Sequence, residues 1–223
     1  MIKNNYLEKL NNSKKPFIIY KSDKGFDLYT DFSKKIILNN QNIKKFINKN
    51  TKLRSTNKET GLFIGFFGYE ILNNLIGIKI KKQKTLNFPK GIFYKPETKV
   101  KLSNKLEYYN PKLVKSNEPF KININKNSYK IIFDKFKKKI KSGETYQIKI
   151  CTKYSNKSNL DALDFFCRLV KTNTAPEAFM IKDKDYSIIS CSPENLINKK
   201  NNLITTKPIA GTLKKTKKLN MIK

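Results

Sequence analysis

Residues 173 to 194 read NTAPEAFMIKDKDYSIISCSPE, Asn173 to Glu194. Two short apolar runs, EAFMIKD and YSIISCS, flank the charged pair Lys184–Asp185. Each has the length and alternation of a strand, and the pair between them supplies a turn, so the segment predicts a hairpin. Upstream, NLDALDFFCRLVKTN has an Asn/Asp start and places Leu160, Leu163, Cys167 and Val170 at helical spacing, which predicts a capped amphipathic helix with those residues inward. Before it, ETYQIKICTKY alternates as a strand does. NSYKIIFDKFKKKIKSG opens on an Asn/Ser cap, closes on Gly143 and sets Tyr129, Ile132, Phe133, Phe136 and Ile140 on one face, with lysines on the other. Downstream, after the Ser-Pro-Glu step, a hairpin through residues 200–202 leads into LITTKPIAGT. Helix, strand, helix and strand meander together predict an α+β fold with antiparallel sheet layers flanked by helices.

The first part of the chain is read the same way. PFIIYKS and GFDLYTDF pair as strands around Asp23–Gly25, and QNIKKFINK, from Gln41, places Ile43, Phe46 and Ile47 at helical spacing. GLFIGFFGYE, Gly61 to Glu70, is too apolar for a surface loop and too rich in glycine for a helix. It predicts a buried strand whose glycines permit close backbone approach. NPKLVKSNEPF, Asn110 to Phe120, carries two prolines among polar residues and reads as a linker. The expected division is 1–116 and 117–223.

The chain has 223 residues and a formal charge of +31, which invites a nucleic-acid partner. Its makeup argues otherwise: 46 Lys stand against Arg54 and Arg168 alone, beside 27 Asn and 27 Ile. Lys, Asn and Ile make 100 of the 223 residues, the bias an A/T-rich coding sequence imposes. Readers of phosphates and bases exploit the fork of arginine, and the lysines here run along the whole chain instead of forming a stripe. No stretch reaches the roughly 18 apolar residues of a membrane span, and Met1 to Leu10 lacks a signal-peptide core, so a cytoplasmic protein is expected. Cys151, Cys167 and Cys191 are too far apart for a metal knuckle and read as free thiols. Histidine is absent, which removes the commonest general base and metal ligand.

SGETYQIKICTKY (Ser142 to Tyr154), SIISCSPENLI (Ser187 to Ile197) and TKPIAGT (Thr206 to Thr212), in this order, resemble the chorismate-utilising enzymes: anthranilate synthase component I, aminodeoxychorismate synthase component I, and the isochorismate and salicylate synthases. The distance from the Asn-x-x-Pro turn at Asn173 to the Ser-Pro-Glu at 192–194 is that of the family, and GLFIGFFGYE is similar to its N-terminal Gly-x-x-Gly-Tyr strand. The resemblance implies an anthranilate synthase component I-like fold and a small dianionic substrate, chorismate. It assigns Glu194 to the leaving 4-hydroxyl of the ring, where loss of water needs a proton donor or a metal. It assigns the 210–212 turn to the substrate pocket. There Ala210 and Gly211 allow backbone N–H groups close to a carboxylate, and Thr212 adds a hydroxyl. Read without the resemblance, Glu194 is a turn glutamate and the 206–212 segment a Pro/Gly turn ending a strand.

Gln147 stands where the water-adding members carry a lysine and the aminating members a glutamine. A neutral amide is no base at neutral pH, so amination is expected, with ammonia from a glutamine amidotransferase partner (component II). Ala210 offers no covalent nucleophile, which favours attack at C2 and release of pyruvate, the anthranilate route of tryptophan biosynthesis. Against that, APEA at 175–178 lacks the Pro-Tyr-Met of the tryptophan feedback site and no Leu-Leu-Glu-Ser motif lies near Phe17 to Ser22. TYQI and GTL have the character of the aminodeoxychorismate branch (4-aminobenzoate and folate), which stays open as the alternative. A non-catalytic basic binding module is the alternative of another class. The resemblance also implies Mg²⁺, whose glutamate ligands, with a histidine and an arginine clamp, lie in the family beyond the PIAGT turn. A chain lacking its C-terminal half, inactive and poorly folded alone, is therefore expected, with no metal ligands of its own.

Overall fold

The computed structural model describes residues 5–51, 62–78, 88–103, 105–106, 108, 118–200 and 202–209. In chain order the elements are α1 (Asn5–Asn12), β1 (Phe17–Ser22), β2 (Gly25–Ile37), α2 (Ile43–Thr51), β3 (Ile64–Phe67), α3 (Tyr69–Leu75), β4 (Gly91–Leu102), β5 (Lys121–Ile122), α4 (Lys126–Lys141), β6 (Tyr154–Ser155), α5 (Ala162–Thr172), β7 (Glu177–Lys182), β8 (Ser187–Ser192), β9 (Asn198–Lys200) and β10 (Leu203–Thr205). The α+β class with an antiparallel sheet is as the sequence predicts. The chain divides into two compact units, one of residues 1–108 with 165–223, the other of 109–164.

The first unit is built on a six-stranded antiparallel sheet ordered β3-β4-β2-β1-β7-β8. The expected hairpin β1–β2 closes at Ser22↔Gly25, where Gly25 takes φ +130°, a conformation L side chains avoid. The expected hairpin β7–β8 pairs Lys182↔Ser187 at its tip. What joins the two hairpins is the pairing of β1 with β7, in register Ile18↔Ile181 and Ile19↔Met180.

This register explains the core. Tyr29, Ile18, Ile181 and Ile188 form one row across four strands, and with Ile92 and Tyr94 they make a buried cluster on one face. Leu28, Ile19 and Met180 form a row of opposite parity on the other face, all fully buried. On that second face Phe26 meets Phe166 of α5 edge to face, with ring centroids 6.1 Å apart. The apolar runs of β1, β2 and β7 thus bury residues of both parities, whereas β8, the end strand, has none fully buried.

At the other end of the sheet, α2 and α3 bury Ile43 and Ile71 against Leu38, with Phe46 packed on Phe93 at 4.8 Å. Of the 61–70 segment, Ile64–Phe67 form β3, but as the end strand and not a buried one. Ile64, Gly65 and Phe66 are partly buried and Phe67 is exposed, while Tyr69 and Glu70 open α3. The close backbone approach is present: a Cβ on Gly65 would lie 2.7 Å from the Cα of Phe93, and Gly68 donates its N–H to the Lys90 carbonyl at 2.7 Å. β2 carries a bulge between Phe32 and Lys34. There Asp31 adopts φ +52° and accepts a hydrogen bond from Thr30 Oγ1 at 3.0 Å.

The second unit departs further from expectation. Helix α4 ends where expected, with Gly143 following at φ +76°, but starts two residues early: Asn125 rather than the Asn127/Ser128 pair caps it, accepting from Ser128 N at 2.8 Å. No residue of α4 is buried, however, and Tyr129, Phe133 and Ile140 are each more than 40% exposed. The expected strand over 144–154 is reduced to Tyr154–Ser155, paired with Lys121–Ile122. Alternation marks a strand only where a neighbouring strand takes up its hydrogen bonds. At the end of this segment Lys153 exchanges bonds with Asn123, accepting from its N–H at 3.1 Å and donating to its Oδ1 at 2.6 Å. Residues 145–152 pair with no strand among the described residues. Helix α5, whose first residues belong to this unit, is capped by Asp161, which accepts from the N–H groups of Leu163 and Asp164 at 2.9 Å. Leu163 and Cys167 are inward as expected, whereas Leu160 precedes the helix and is exposed and Val170 is half-buried. The linker expected from Asn110 lies mostly outside the described residues, which resume at Glu118.

Candidate functional site

Glu194 follows the last residue of β8 by two positions, and the sequence explains its fixed geometry. Pro193 limits the backbone to one φ well. Ser192 then folds its side chain over the turn: its Oγ donates to the Glu194 carbonyl at 3.0 Å and accepts from the Glu194 N–H at 3.4 Å. The Glu194 side chain is exposed. A carboxyl presented to solvent from a locally braced turn can meet a ligand without moving the sheet behind it. Asn195, next in sequence, donates through Nδ2 to Oε1 of Glu177 at 2.9 Å. Neither Glu177 nor Asn195 is singled out by the sequence; the register of the β7–β8 hairpin alone could have suggested them, since Glu177 pairs with Ser192.

Gln147 lies in the second unit, exposed, in the irregular segment after α4, with its carbonyl accepting from Thr145 Oγ1 at 3.3 Å. Glu194 is in the first unit. Ala210, Gly211 and Thr212 lie outside the described residues. The approach to them, residues 206–209, is exposed and irregular, and the ribbon that precedes it, β9–β10, pairs Leu203↔Lys200 and Thr205↔Asn198.

Among the described residues no three His, Cys, Asp or Glu side chains converge where a metal ion could be held. These residues do not fit a magnesium site, and no step below is routed through one. Cys151 is exposed, Cys167 buried and Cys191 half-buried, and none of them forms a disulfide; burial pushes the Cys191 thiol up.

A second polar cluster lies at the tip of the β7–β8 hairpin. Asp183, buried, accepts from the hydroxyl of Tyr94 and pairs with Lys35 Nζ at 2.5 Å, while the Tyr94 and Tyr186 hydroxyls meet at 3.2 Å. Burial raises the Asp183 carboxyl, but the hydrogen bonds from Lys35 and Tyr94 outweigh it and hold the group below its ordinary value. Burial, with Asp183 beside it, pushes the Tyr94 hydroxyl far up. The cluster ties β2, β4 and the hairpin tip together in one charge-assisted network.

Residues 3–221 match the model of the chorismate binding enzyme family. The chain belongs to this family. It is 24% identical over 184 residues to an anthranilate synthase component I-like protein of Synechocystis, covering 71% of this chain and 38% of that protein. Over 79 residues it is 33% identical to aminodeoxychorismate synthase component 1 of Bacillus subtilis, 35% of this chain and 17% of that protein. Over 166 residues it is 24% identical to anthranilate synthase component 1 of Archaeoglobus fulgidus, 70% and 40% respectively. The chain therefore spans about two fifths of the length of the relatives it matches most broadly. No described helix is long and apolar enough to cross a membrane.

Proposed function

We propose that the chain is part of component I of a chorismate-aminating synthase that forms anthranilate and pyruvate with ammonia from a glutamine amidotransferase subunit. The observation that carries this reading is the family match over residues 3–221, together with a glutamine at 147 and a glutamate on the braced turn at 194. In this scheme ammonia adds at C2 of the ring. Glu194 gives a proton to the departing 4-hydroxyl, which leaves as water while the added nitrogen loses a proton. Loss of the C2 hydrogen and protonation of the enolpyruvyl methylene then break the C3–O bond, releasing pyruvate and leaving an aromatic ring. Gln147 orients the nucleophile by its amide without competing as a base. Backbone N–H groups of the 210–212 turn hold a substrate carboxylate. Glu194, Gly211 and Thr212 are proposed to form one wall of the pocket, with little turnover by the 223 residues alone: positioning of reactants contributes on the order of 7–11 kcal/mol to a rate, and the described residues bring no acidic metal cluster to Glu194.

Similarity to the Bacillus subtilis protein supports the runner-up, formation of 4-amino-4-deoxychorismate. The test supplies chorismate, magnesium and ammonium salt at high pH to the 223-residue chain and to the full coding region wherever that runs longer. Anthranilate fluorescence with stoichiometric pyruvate supports the proposal. 4-Amino-4-deoxychorismate as product selects the runner-up, and isochorismate or salicylate as the main product overturns the amination reading.

A further inference from the structure

Glu177 opens β7 and uses both carboxylate oxygens. Oε2 accepts from the hydroxyl of Tyr20 on β1, and Oε1 accepts from Asn195 Nδ2 at 2.9 Å. Its neighbourhood is fixed on each side. Lys21, beside Tyr20, donates from Nζ to the Ala175 carbonyl at 2.6 Å, which clamps the segment entering β7. Across the ladder Glu177 pairs with Ser192, the residue whose hydroxyl braces Glu194. Glu194 is thereby bracketed, with Ser192 and Pro193 on its N-terminal side and Asn195, anchored to Glu177, on the other.

The nature of the bonds separates this arrangement from ordinary charge pairing. In a chain with 48 basic residues against 17 acidic ones, a half-buried carboxylate has cations in abundance. Glu177 nevertheless takes neutral donors of fixed direction, a tyrosine and an amide, and makes no ion pair among the described residues. Neutral partners do little to offset its charge, but each sets an angle and a distance. A charged acceptor makes such bonds stronger than neutral ones, enough to hold a turn that would otherwise open locally.

We propose that Glu177 is a positioning residue for Glu194: braced by Tyr20, it fixes Asn195 and so aims the neighbouring carboxyl. The inference rests on the proton-donor reading of Glu194 and leads to measurements of two independent kinds. The first is amide hydrogen exchange over residues 193–197 in the 223-residue chain. Glu177→Ala and Asn195→Ala should each speed it about tenfold or more, the scale set by losing one hydrogen bond to a charged group. The double variant should be no faster than either single one, because the same bridge is removed. Glu177→Gln, whose carbonyl can accept from Asn195 while its NH₂ donates to the Tyr20 oxygen, should stay near wild type.

The second readout is chorismate amination by the full coding region with ammonium salt. Glu177→Ala should lower kcat about tenfold while KM changes less than about twofold, with recovery in Glu177→Gln. Unchanged exchange at 193–197 in both alanine variants overturns the proposal. So do additive effects in the double variant, or a glutamine variant as impaired as alanine. Should wild type turn over no chorismate, the reaction assignment fails, and the exchange data decide by themselves whether Glu177 holds the turn. Asn195, on the turn outside the sheet, keeps the test open if Glu177→Ala does not fold.

Discussion

Replacing Gly65 by alanine tests why the segment 61–70 carries its glycines. An added Cβ would stand 2.7 Å from Phe93 Cα and 2.8 Å from the Ile92 carbonyl carbon, with the Ile92 oxygen closer still. Carbon atoms in ordinary contact sit about 3.5–4.0 Å apart, so β3 would have to retreat about 1 Å from β4. These neighbours are backbone and cannot rotate away. The pair spans Ile64↔Tyr94 to Phe67↔Gly91. A retreat of that size stretches about two ladder hydrogen bonds beyond their useful range, at about 1 kcal/mol each, and adds overpacking of about 1–3 kcal/mol. The expected loss is about 3–5 kcal/mol, or a fall in Tm of about 6–20 °C for a chain of this size. Gly77→Ala is the control. Gly77 has φ +78° and nothing within 4 Å of its Cβ position, so only backbone strain of about 1–2 kcal/mol applies. Urea and thermal unfolding followed by circular dichroism measure both. A Gly65→Ala variant within about 0.5 kcal/mol of wild type, or less affected than Gly77→Ala, would refute the close-approach argument.

Asp183 gives a pH-dependent prediction. Its carboxyl is held below the ordinary value of 3.8, so the folded protein binds that proton less readily than the unfolded chain. The contribution is complete above that value and fades as pH falls through it, so the Tm difference between wild type and Asp183→Asn should be large near neutral pH and shrink below it; a gap that persists or widens in acid contradicts this. Glu194→Gln in an active enzyme should lower kcat about 10²–10⁴-fold with substrate binding retained, the range for removing a general acid. Gln147→Lys should let hydroxylated product appear beside the amine, read by chromatography of the quenched reaction. Because Ala210 offers no nucleophile, intact-mass analysis after denaturation should find no chorismate-derived adduct. Binding to arbitrary single-stranded nucleic acid should vanish at physiological salt; tight, specific binding there would favour the basic-module alternative.

How far the fold could be read in the sequence depended on the distance between partners. The β1–β2 and β7–β8 hairpins were legible because their strands are joined by short turns and their register is set locally, at Ser22↔Gly25 and Lys182↔Ser187. Their union through Ile18↔Ile181 was not, since nothing in the period of either strand names a partner more than 150 residues away. Helix α4 shows the opposite failure. Its C-terminal end at Gly143 and its apolar stripe are legible and its cap lies two residues before the expected Asn127/Ser128, yet an apolar stripe states what a helix can bury and not what is there to bury it against. The strand expected around Gln147 failed for the same reason, with alternation in the sequence and no ladder over residues 145–152 among the described residues.

The site residues follow a related logic. A side chain with its needs met inside the fold, such as Asp183 with Lys35 and Tyr94, reads as structure. Glu194 and Gln147 are exposed and reach their neighbours chiefly through backbone atoms, the condition of groups that must turn to a ligand. Their assignment comes from the resemblance of their motifs to the chorismate-utilising enzymes; without it Glu194 reads as a turn glutamate. Glu177 escaped that reading since its work lies between the two classes: a strand residue by pattern, it acts through Asn195 on a turn. Such residues become visible only when hairpin register and side-chain direction are known together, and the double-variant exchange experiment is aimed at that kind of coupling.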